Sequence, residues 1–256
     1  MTKALIIGIV LFLLIVGGCG KSQREKDTIP ESSLAPEKQE KIRRVLRDVS
    51  YMAKAARKLF AKEYGKDGVP FMIERILEIY ETGPDWKHPQ LYSIAGNLIF
   101  SLGEIGDERA LPALKLWLTD KKYRVFRTET AYALGELGNS EAIQPLWEVW
   151  KEEKGYLEKD DDEGPWPFAG YHPSSGYVHG VLAEVGKALF KLGEKSIVGE
   201  LIEAAEMSRE RWTGGYWRLL EALTEISGEP LSQSTDEIGY WQKWWQENKP
   251  KYQKFS

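Results

Sequence analysis

The chain has 256 residues, of which 42% are hydrophobic, and its formal net charge is −4. This composition is sufficient for a packed core, and the length allows one or two ordinary domains, or a solenoid that uses the whole length as one domain. Positive and negative residues are interspersed without a long basic block, and nucleic-acid binding requires a cationic surface, so no nucleic-acid partner is predicted.

The first 18 residues have the pattern of a secretory signal peptide. Lys3 precedes an apolar stretch over residues 4–16, which is too short to span a bilayer comfortably. The only cysteine follows in Val16-Gly-Gly-Cys19, a pattern that resembles the lipobox of bacterial lipoproteins. The resemblance implies cleavage before Cys19, lipidation of its thiol and acylation of the new amino terminus. An ordinary exported protein is the alternative.

The lipobox resemblance also predicts a location and a mode of attachment. It implies that the protein is anchored in the bacterial cell envelope and faces the periplasm or the exterior. Because Gly20 rather than Asp follows the cysteine, the outer membrane is favoured in a Gram-negative cell. With a single cysteine, no disulfide can form within the chain.

Residues 19–36 are predicted to form a disordered tether. They are polar and charged with almost no large apolar side chains, so burial cannot offset the entropy lost on ordering. A flexible segment of about 17 residues has a root-mean-square reach of roughly 20–25 Å. Such a tether would hold the folded part of the chain just outside a membrane surface.

The folded domain is predicted to occupy residues 37–248 and to begin with a degenerate helical pair. Residues 38–64 have the amphipathic pattern of one long helix, and residues 69–80 have the apolar spacing of a shorter partner. A degenerate first pair is typical of the capping unit of a repeat array.

Two near-duplicate segments follow at an offset of 32 residues. Leu102-Gly-Glu-Ile-Gly106 returns as Leu134-Gly-Glu-Leu-Gly138, and residues 110–114 return in similar form as residues 142–146. A fixed period of this size is typical of a solenoid, in which each unit buries its apolar face against its neighbours. The apolar spacing predicts a helical hairpin in each unit, with Gly138 ending a first helix.

The second copy resembles a HEAT repeat of the short bacterial kind found in phycocyanobilin lyase subunits. The matching residues are Phe126, Arg127, Ala131, Ala133, Leu134, Gly135, Leu137, Gly138, Ala142, Ile143 and Leu146. The resemblance implies an all-α fold, an α-solenoid of HEAT-like hairpins, and a protein partner. HEAT arrays often contain an Asp–Arg ladder, for which Asp120 and Arg127 are suited at one junction. Apolar residues replace Arg127 in the other units, so apolar packing is expected to hold the stack together.

A fainter third copy over residues 188–201 lies 55 residues after the second, which is one period plus 23 residues. A fourth copy begins at residue 222. The extra residues predict an insertion loop at about 155–180, and insertions in repeat proteins often collect on the binding face.

Aromatic side chains in the insertion are the candidate partner-binding residues. They are Trp166, Phe168, Tyr171 and Tyr177. Rigid aromatic residues are enriched in protein interfaces, but these residues could equally pack against the adjoining repeats. The acidic run over residues 160–163 and the histidines His172 and His179 do not have the spacing of a known metal site, so no metal or cofactor is predicted.

A capping-box pattern over residues 234–237 predicts a last helix that Pro250 ends, with residues 249–256 as a tail. Ile238, Trp241, Trp244 and Trp245 lie on one side of this helix. We interpret them as a lid over the apolar end of the final repeat, which a solenoid requires. An aromatic docking face is the alternative.

The sequence contains no recognisable catalytic constellation. It has no nucleophile elbow and no phosphate-binding Gly-rich loop, and no His-Glu dipeptide of the kind that HEAT-type di-iron hydroxylases carry in pairs. The leading hypothesis is a membrane-anchored, non-catalytic protein-interaction scaffold. The alternatives are glycan or cell-wall binding through the aromatic insertion, and a lyase-like enzyme accessory subunit. The oligomeric state does not follow from the sequence.

Overall fold

The computed structural model describes residues 29–48, 54–83, 89–159, 176–210, 215–230 and 236–253. Within these ranges the chain forms ten α-helices and no β-strand. The helices are α1 Pro36–Asp48, α2 Lys54–Thr82, α3 Pro89–Ile105, α4 Leu111–Thr119, α5 Arg127–Leu137, α6 Ile143–Lys159, α7 Gly176–Lys191, α8 Ile197–Glu210, α9 Tyr216–Ser227 and α10 Glu237–Gln253. Short 3₁₀ turns precede α4, α5 and α6. The predicted all-α class is confirmed.

The helices form two layers that run along the array. In the first layer, α3 packs against α5, α5 against α7, and α7 against α9. In the second layer, α4 packs against α6, α6 against α8, and α8 against α10. The layers are joined because α4, α6 and α8 each pack against the first-layer helix that follows in the chain. This translational stacking is the predicted solenoid.

Small residues allow the first-layer helices to approach closely. A Cβ atom added at Gly103 of α3 would lie 2.5 Å from the Cα atom of Ala133 in α5. One added at Gly135 of α5 would lie 2.9 Å from the Cα atom of Ala188 in α7. Interiors packed at crystal density have no room for such atoms, so the spacing of the layer requires glycine at both positions.

Glycine also ends the first helix of the second unit, as the sequence predicts. Gly138 has a φ of 71°, and its N–H donates to the carbonyl of Leu134. This left-handed conformation is unfavourable for residues with a Cβ atom, because the Cβ atom crowds the backbone.

Apolar side chains make up most of the core in the described ranges, and α10 covers its last unit. Trp241 is completely buried, Trp244 is nearly so, and the ring of Trp245 lies against Gly199 of α8. The last helix is therefore the predicted lid. None of the helices in the described part of the chain is both long and apolar enough to cross a membrane.

The amino-terminal pair differs from the prediction in both helices. The stretch predicted as one long helix over residues 38–64 lies partly in α1, which ends at Asp48, and partly in α2. α2 begins at Lys54, kinks at Gly65 (φ 49°, ψ −135°) and continues through the predicted partner helix to Thr82. Pro70 lies inside it and lacks the N–H that would bind the carbonyl of Lys66. That carbonyl instead accepts a hydrogen bond from Nη2 of Arg109 at 2.7 Å, which explains why the helix tolerates the proline.

Two other predicted boundaries differ from the structure. α6 continues through Gly155 to Lys159 and α7 begins at Gly176, so both ends of the predicted 155–180 loop are helical. Residues 160–175 lie outside the described ranges. α10 runs through Pro250 to Gln253. A proline removes one helical hydrogen bond wherever it lies, but only three residues of α10 follow Pro250, so little of the helix depends on the turn that it disturbs.

Candidate interaction surface and the adjoining buried cluster

The solvent-facing sides of α3, α5, α7 and α9 form a continuous surface that we call the ridge. Its residues are Phe100 and Glu104 of α3, Glu129, Tyr132 and Glu136 of α5, Glu184, Lys187 and Lys191 of α7, and Trp217, Arg218, Glu221 and Glu225 of α9. Because the helices stack with a regular period, equivalent positions of successive helices lie side by side. A surface built from equivalent positions of successive units is a candidate binding surface in a solenoid protein.

Contacts between neighbouring helices hold the ridge side chains in place. The rings of Phe100 and Tyr132 lie 5.0 Å apart and join α3 to α5. Lys191 of α7 forms an ion pair with Glu136 of α5, and its ammonium group lies 5.9 Å from the ring of Tyr132.

The same kind of contact continues towards the carboxyl-terminal end. The Nζ atom of Lys187 lies 2.6 Å from Glu184 on its own helix and 3.0 Å from Glu225 on α9. Burial alone would lower the pKa of Lys187, but the hydrogen bonds and negative charges of these two carboxylates raise it. The ridge is therefore linked across every helix pair of the first layer.

The ridge is acidic, with six glutamates against two lysines and one arginine among its residues. Burial raises the pKa of the Glu129 carboxyl, and the nearby charge of Glu184 adds to the shift. Burial also raises the pKa of Tyr132, with further contributions from Glu136 and Glu104. Burial is the largest cause of both shifts, and neighbouring carboxylates add to them. The excess of carboxylates on the ridge attracts positively charged groups.

One large apolar side chain on the ridge is open to solvent. Trp217 at the start of α9 is 46% exposed, and its ring lies 4.7 Å from that of Tyr216. Tryptophan is the residue type most enriched among the energetic anchors of protein interfaces. Sequence analysis alone did not single it out, because the exposure depends on how α9 stacks on α7.

A buried ion cluster lies at the joint between α5 and α6. Arg124 and Glu153 form a two-pronged pair, with Nε to Oε1 at 2.8 Å and Nη2 to Oε2 at 2.6 Å. Nη1 of Arg127 donates to the same Oε1 atom at 2.6 Å. Arg127 and Glu153 are both 0% exposed, and Arg124 is 2% exposed. Two buried cations thus depend chiefly on one buried carboxylate.

The electrostatics of this cluster favour the charged forms of both arginines. Burial alone would lower the pKa of Arg124 and of Arg127. The hydrogen bonds and the charge of Glu153 outweigh this effect and raise both pKa values. Glu152, 3.3 Å from Arg127, adds a second and more exposed carboxylate.

The predicted Asp–Arg ladder is replaced by this cluster. Asp120 accepts a hydrogen bond from the N–H of Lys122 at 2.9 Å and another from the hydroxyl of Tyr80. Arg127 is directed to α6 instead, where it binds Glu153. Apolar packing is therefore supplemented at this joint by buried charge, which the repeat pattern did not indicate.

Tyr177 is the predicted partner-binding residue that falls within the described ranges, and it lies beside the cluster. Its hydroxyl donates to the carbonyl of Arg124, and its ring lies 5.5 Å from the guanidinium carbon of Arg124. Burial raises the pKa of the Tyr177 phenol well above its usual value, and the charge of Glu153 adds to the shift. The side chain contributes to the joint, and a role in partner binding stays a prediction.

The other predicted site residues lie outside the described ranges. They are Cys19, Trp166, Phe168 and Tyr171, as well as His172. His179 is completely buried in α7, with Nε2 2.8 Å from the Oγ atom of Ser208. In the part of the chain that the structure describes, no three His, Cys, Asp or Glu side chains are grouped so that they could hold a metal ion.

Comparison with known proteins agrees with this architecture in the middle of the chain. Residues 73–160 match the family model described as HEAT repeats. The matched segment contains both near-duplicate motifs, the ridge residues of α3 and α5, and the buried cluster. HEAT repeats commonly serve as protein-interaction scaffolds. No curated protein and no solved structure matched the chain.

Proposed function

We propose that the protein is a non-catalytic interaction scaffold, anchored to the bacterial cell envelope by lipid on Cys19. The ridge is the observation that carries the scaffold function, because it is continuous and its side chains are fixed by contacts between neighbouring helices. The HEAT-repeat match over residues 73–160 supports the same use. The lipid anchor rests on the sequence pattern Val16-Gly-Gly-Cys19.

The ridge would bind a protein by rigid presentation. Its side chains are already ordered by pairs such as Lys187–Glu225 and Phe100–Tyr132, so a partner would restrict few additional rotamers on binding. Trp217 would supply an apolar anchor at one end. The excess of glutamates would favour a positively charged patch on the partner and would discriminate against acidic proteins.

Site-specific photo-crosslinking in intact cells tests the scaffold. A photoreactive amino acid placed at Trp217 or Glu221 is expected to give a discrete crosslinked protein product, because both positions lie on the ridge. The same amino acid at Gln144 or Lys151, which are exposed on α6 in the second layer, is the matched control. If the ridge positions give no product, or only the products of the control positions, the scaffold proposal is wrong.

Metabolic labelling with an alkyne-tagged fatty acid tests the anchor separately. The unaltered chain is expected to take up the label and to fractionate with membranes. Cys19→Ala should not take up the label, and no form of it from which the signal peptide has been cleaved should fractionate with membranes. Ser22→Ala changes a nearby residue of the tether and should keep both properties. An unlabelled wild-type chain would show that the lipobox resemblance is misleading.

A further inference from the structure

Glu129 on the ridge carries a carboxyl group whose hydrogen-bonding capacity is only partly used. It lies in the first turn of α5, and its Oε2 atom is shielded from solvent and accepts no hydrogen bond from any described residue. An oxygen in this state has lost its hydration without gaining a partner, which is costly when the group is charged. The side chain as a whole is partly exposed, so protons from the solvent can reach it.

This carboxyl group lies at a joint of the first layer. α5 packs between α3 and α7. A Cβ atom added at Gly96 of α3 would lie 3.8 Å from both Cγ and Oε1 of Glu129, so the side chain lies beside the backbone of α3. The negative charge of Glu184 on α7 also acts on it. The charge state of Glu129 therefore affects the packing of α5 with both neighbours.

The described charges around this joint do not compensate Glu129. The titratable and charged groups at the joint are Tyr177, Glu184 and Lys187 of α7, Arg127 of α5, and Arg124 of the turn before α5. The ammonium group of Lys187 is held by two other glutamates, and both arginines bind a glutamate of α6. No described cation contributes to the electrostatics of the Glu129 carboxyl.

These surroundings favour the protonated form of Glu129. Burial raises the pKa of its carboxyl, a hydrogen bond from its own backbone N–H opposes this effect, and the charge of Glu184 adds to the rise. The folded protein thus holds this proton at pH values at which the unfolded chain has lost it. The stability that the proton contributes is fully present below the pKa of the unfolded chain and is lost as the pH rises through the folded value.

We infer that Glu129 makes the first layer of the array pH-sensitive: mild acid neutralises its carboxyl and strengthens the packing of α5 between α3 and α7, and neutral pH weakens it. Such a device goes beyond the proposed scaffold and does not require a partner. The same protonation removes one of the six glutamate charges of the ridge. A basic protein bound there as proposed would therefore be held less tightly in acid.

Thermal unfolding of the purified variant Glu129→Gln at two pH values tests the device. Glutamine has nearly the shape of the protonated side chain and carries no charge. At about pH 7.5 the variant is expected to have a Tm about 2–5 °C above that of the unaltered protein, because it lacks the charge that burial disfavours. At about pH 4.5 the difference should fall to less than about half of that value, since the unaltered protein is then largely protonated at Glu129 as well.

Glu104→Gln is the matched control on the same surface. Glu104 of α3 is exposed, so its replacement removes one ridge charge without altering a shielded group. Its Tm should lie within about 1 °C of that of the unaltered protein at both pH values. If the two variants are stabilised equally at about pH 7.5, the gain comes from the net charge of the ridge, and the inference is wrong.

Direct titration of the carboxyl decides the question even if glutamine disturbs the packing. In protein labelled with carbon-13 at the glutamate carboxyl groups, the NMR signal that is missing from Glu129→Gln belongs to Glu129. Its titration midpoint is expected to lie above that of free glutamic acid. A midpoint at or below that of the free amino acid would overturn the inference, whatever the Tm of the variant.

Discussion

Replacing Glu153 by Gln is expected to lower the free energy of unfolding by about 3–5 kcal/mol. The substitution keeps the size of the side chain but removes the charge that compensates Arg124 and Arg127, which are almost completely buried. Both guanidinium groups would then remain charged in a region from which water is excluded. In a chain of this size the effect corresponds to a decrease in Tm of about 10 °C, measurable by thermal unfolding.

The control for this experiment lies on the same helix. Glu148 of α6 is exposed, and Glu148→Gln should change the free energy of unfolding by less than about 0.5 kcal/mol. If Glu153→Gln unfolds at the same temperature as Glu148→Gln, the buried cluster does not have the energetic role that its geometry indicates.

Replacing Gly103 by Ala is expected to destabilise the protein by about 1–3 kcal/mol, and by Val more strongly. The new Cβ atom would lie 2.5 Å from the Cα atom of Ala133, so α3 and α5 would have to move apart. Movement of one first-layer helix also disturbs the contacts of its neighbours. Denaturant unfolding of the purified variants measures the effect.

Gly155 provides a control with the opposite expected sign. It lies inside α6, and a Cβ atom added there would meet nothing within 4 Å. Gly155→Ala should therefore stabilise the protein by about 0.5–1 kcal/mol, because alanine restricts the unfolded chain and favours the helix. Should both alanine variants change stability in the same direction, close helix packing would not be the reason for Gly103.

The solenoid could be predicted because its repeats can be recognised in the amino-acid sequence. The motif at Leu102–Gly106 and its copy at Leu134–Gly138 recur with one period, and each contains a glycine that the packing requires and a glycine that ends a helix. The sequence also correctly indicated that α10 is a lid. Its tryptophans lie on one side of the last helix, and they cover the apolar end of the final repeat.

The prolines predicted the ends of helices less reliably, because the free-energy cost of a proline in a helix depends on its surroundings. Pro70 is tolerated where Arg109 binds the carbonyl of Lys66 that the proline leaves without a helical donor. Pro250 is tolerated in the last turn of α10, where few hydrogen bonds remain to be lost. Neither condition can be read from the residues next to the proline in the sequence.

The buried cluster was missed, although one signal could have identified part of it. On α6, the side chains of Leu146, Trp150, Glu153 and Leu157 are all buried and follow one another at intervals of four, three and four residues. Glu153 thus occupies an apolar stripe, and a charge in such a position requires a partner. Its partners, however, come from the turn before α5 and from α5 itself, and no local pattern identifies them.

Because the contacts of the described helices run mainly between neighbours in the array, its stability is distributed along a line rather than gathered in one centre. Opening at an end separates one helix from the row and leaves the interior helices in contact, so resistance to a pulling force should increase towards α5 and α6, where the buried charges lie. A pulling force applied between the amino-terminal end of the chain and a molecule bound to the ridge would first separate α1 and α2 from the other helices. The chain would become longer while the molecule stayed bound to the ridge.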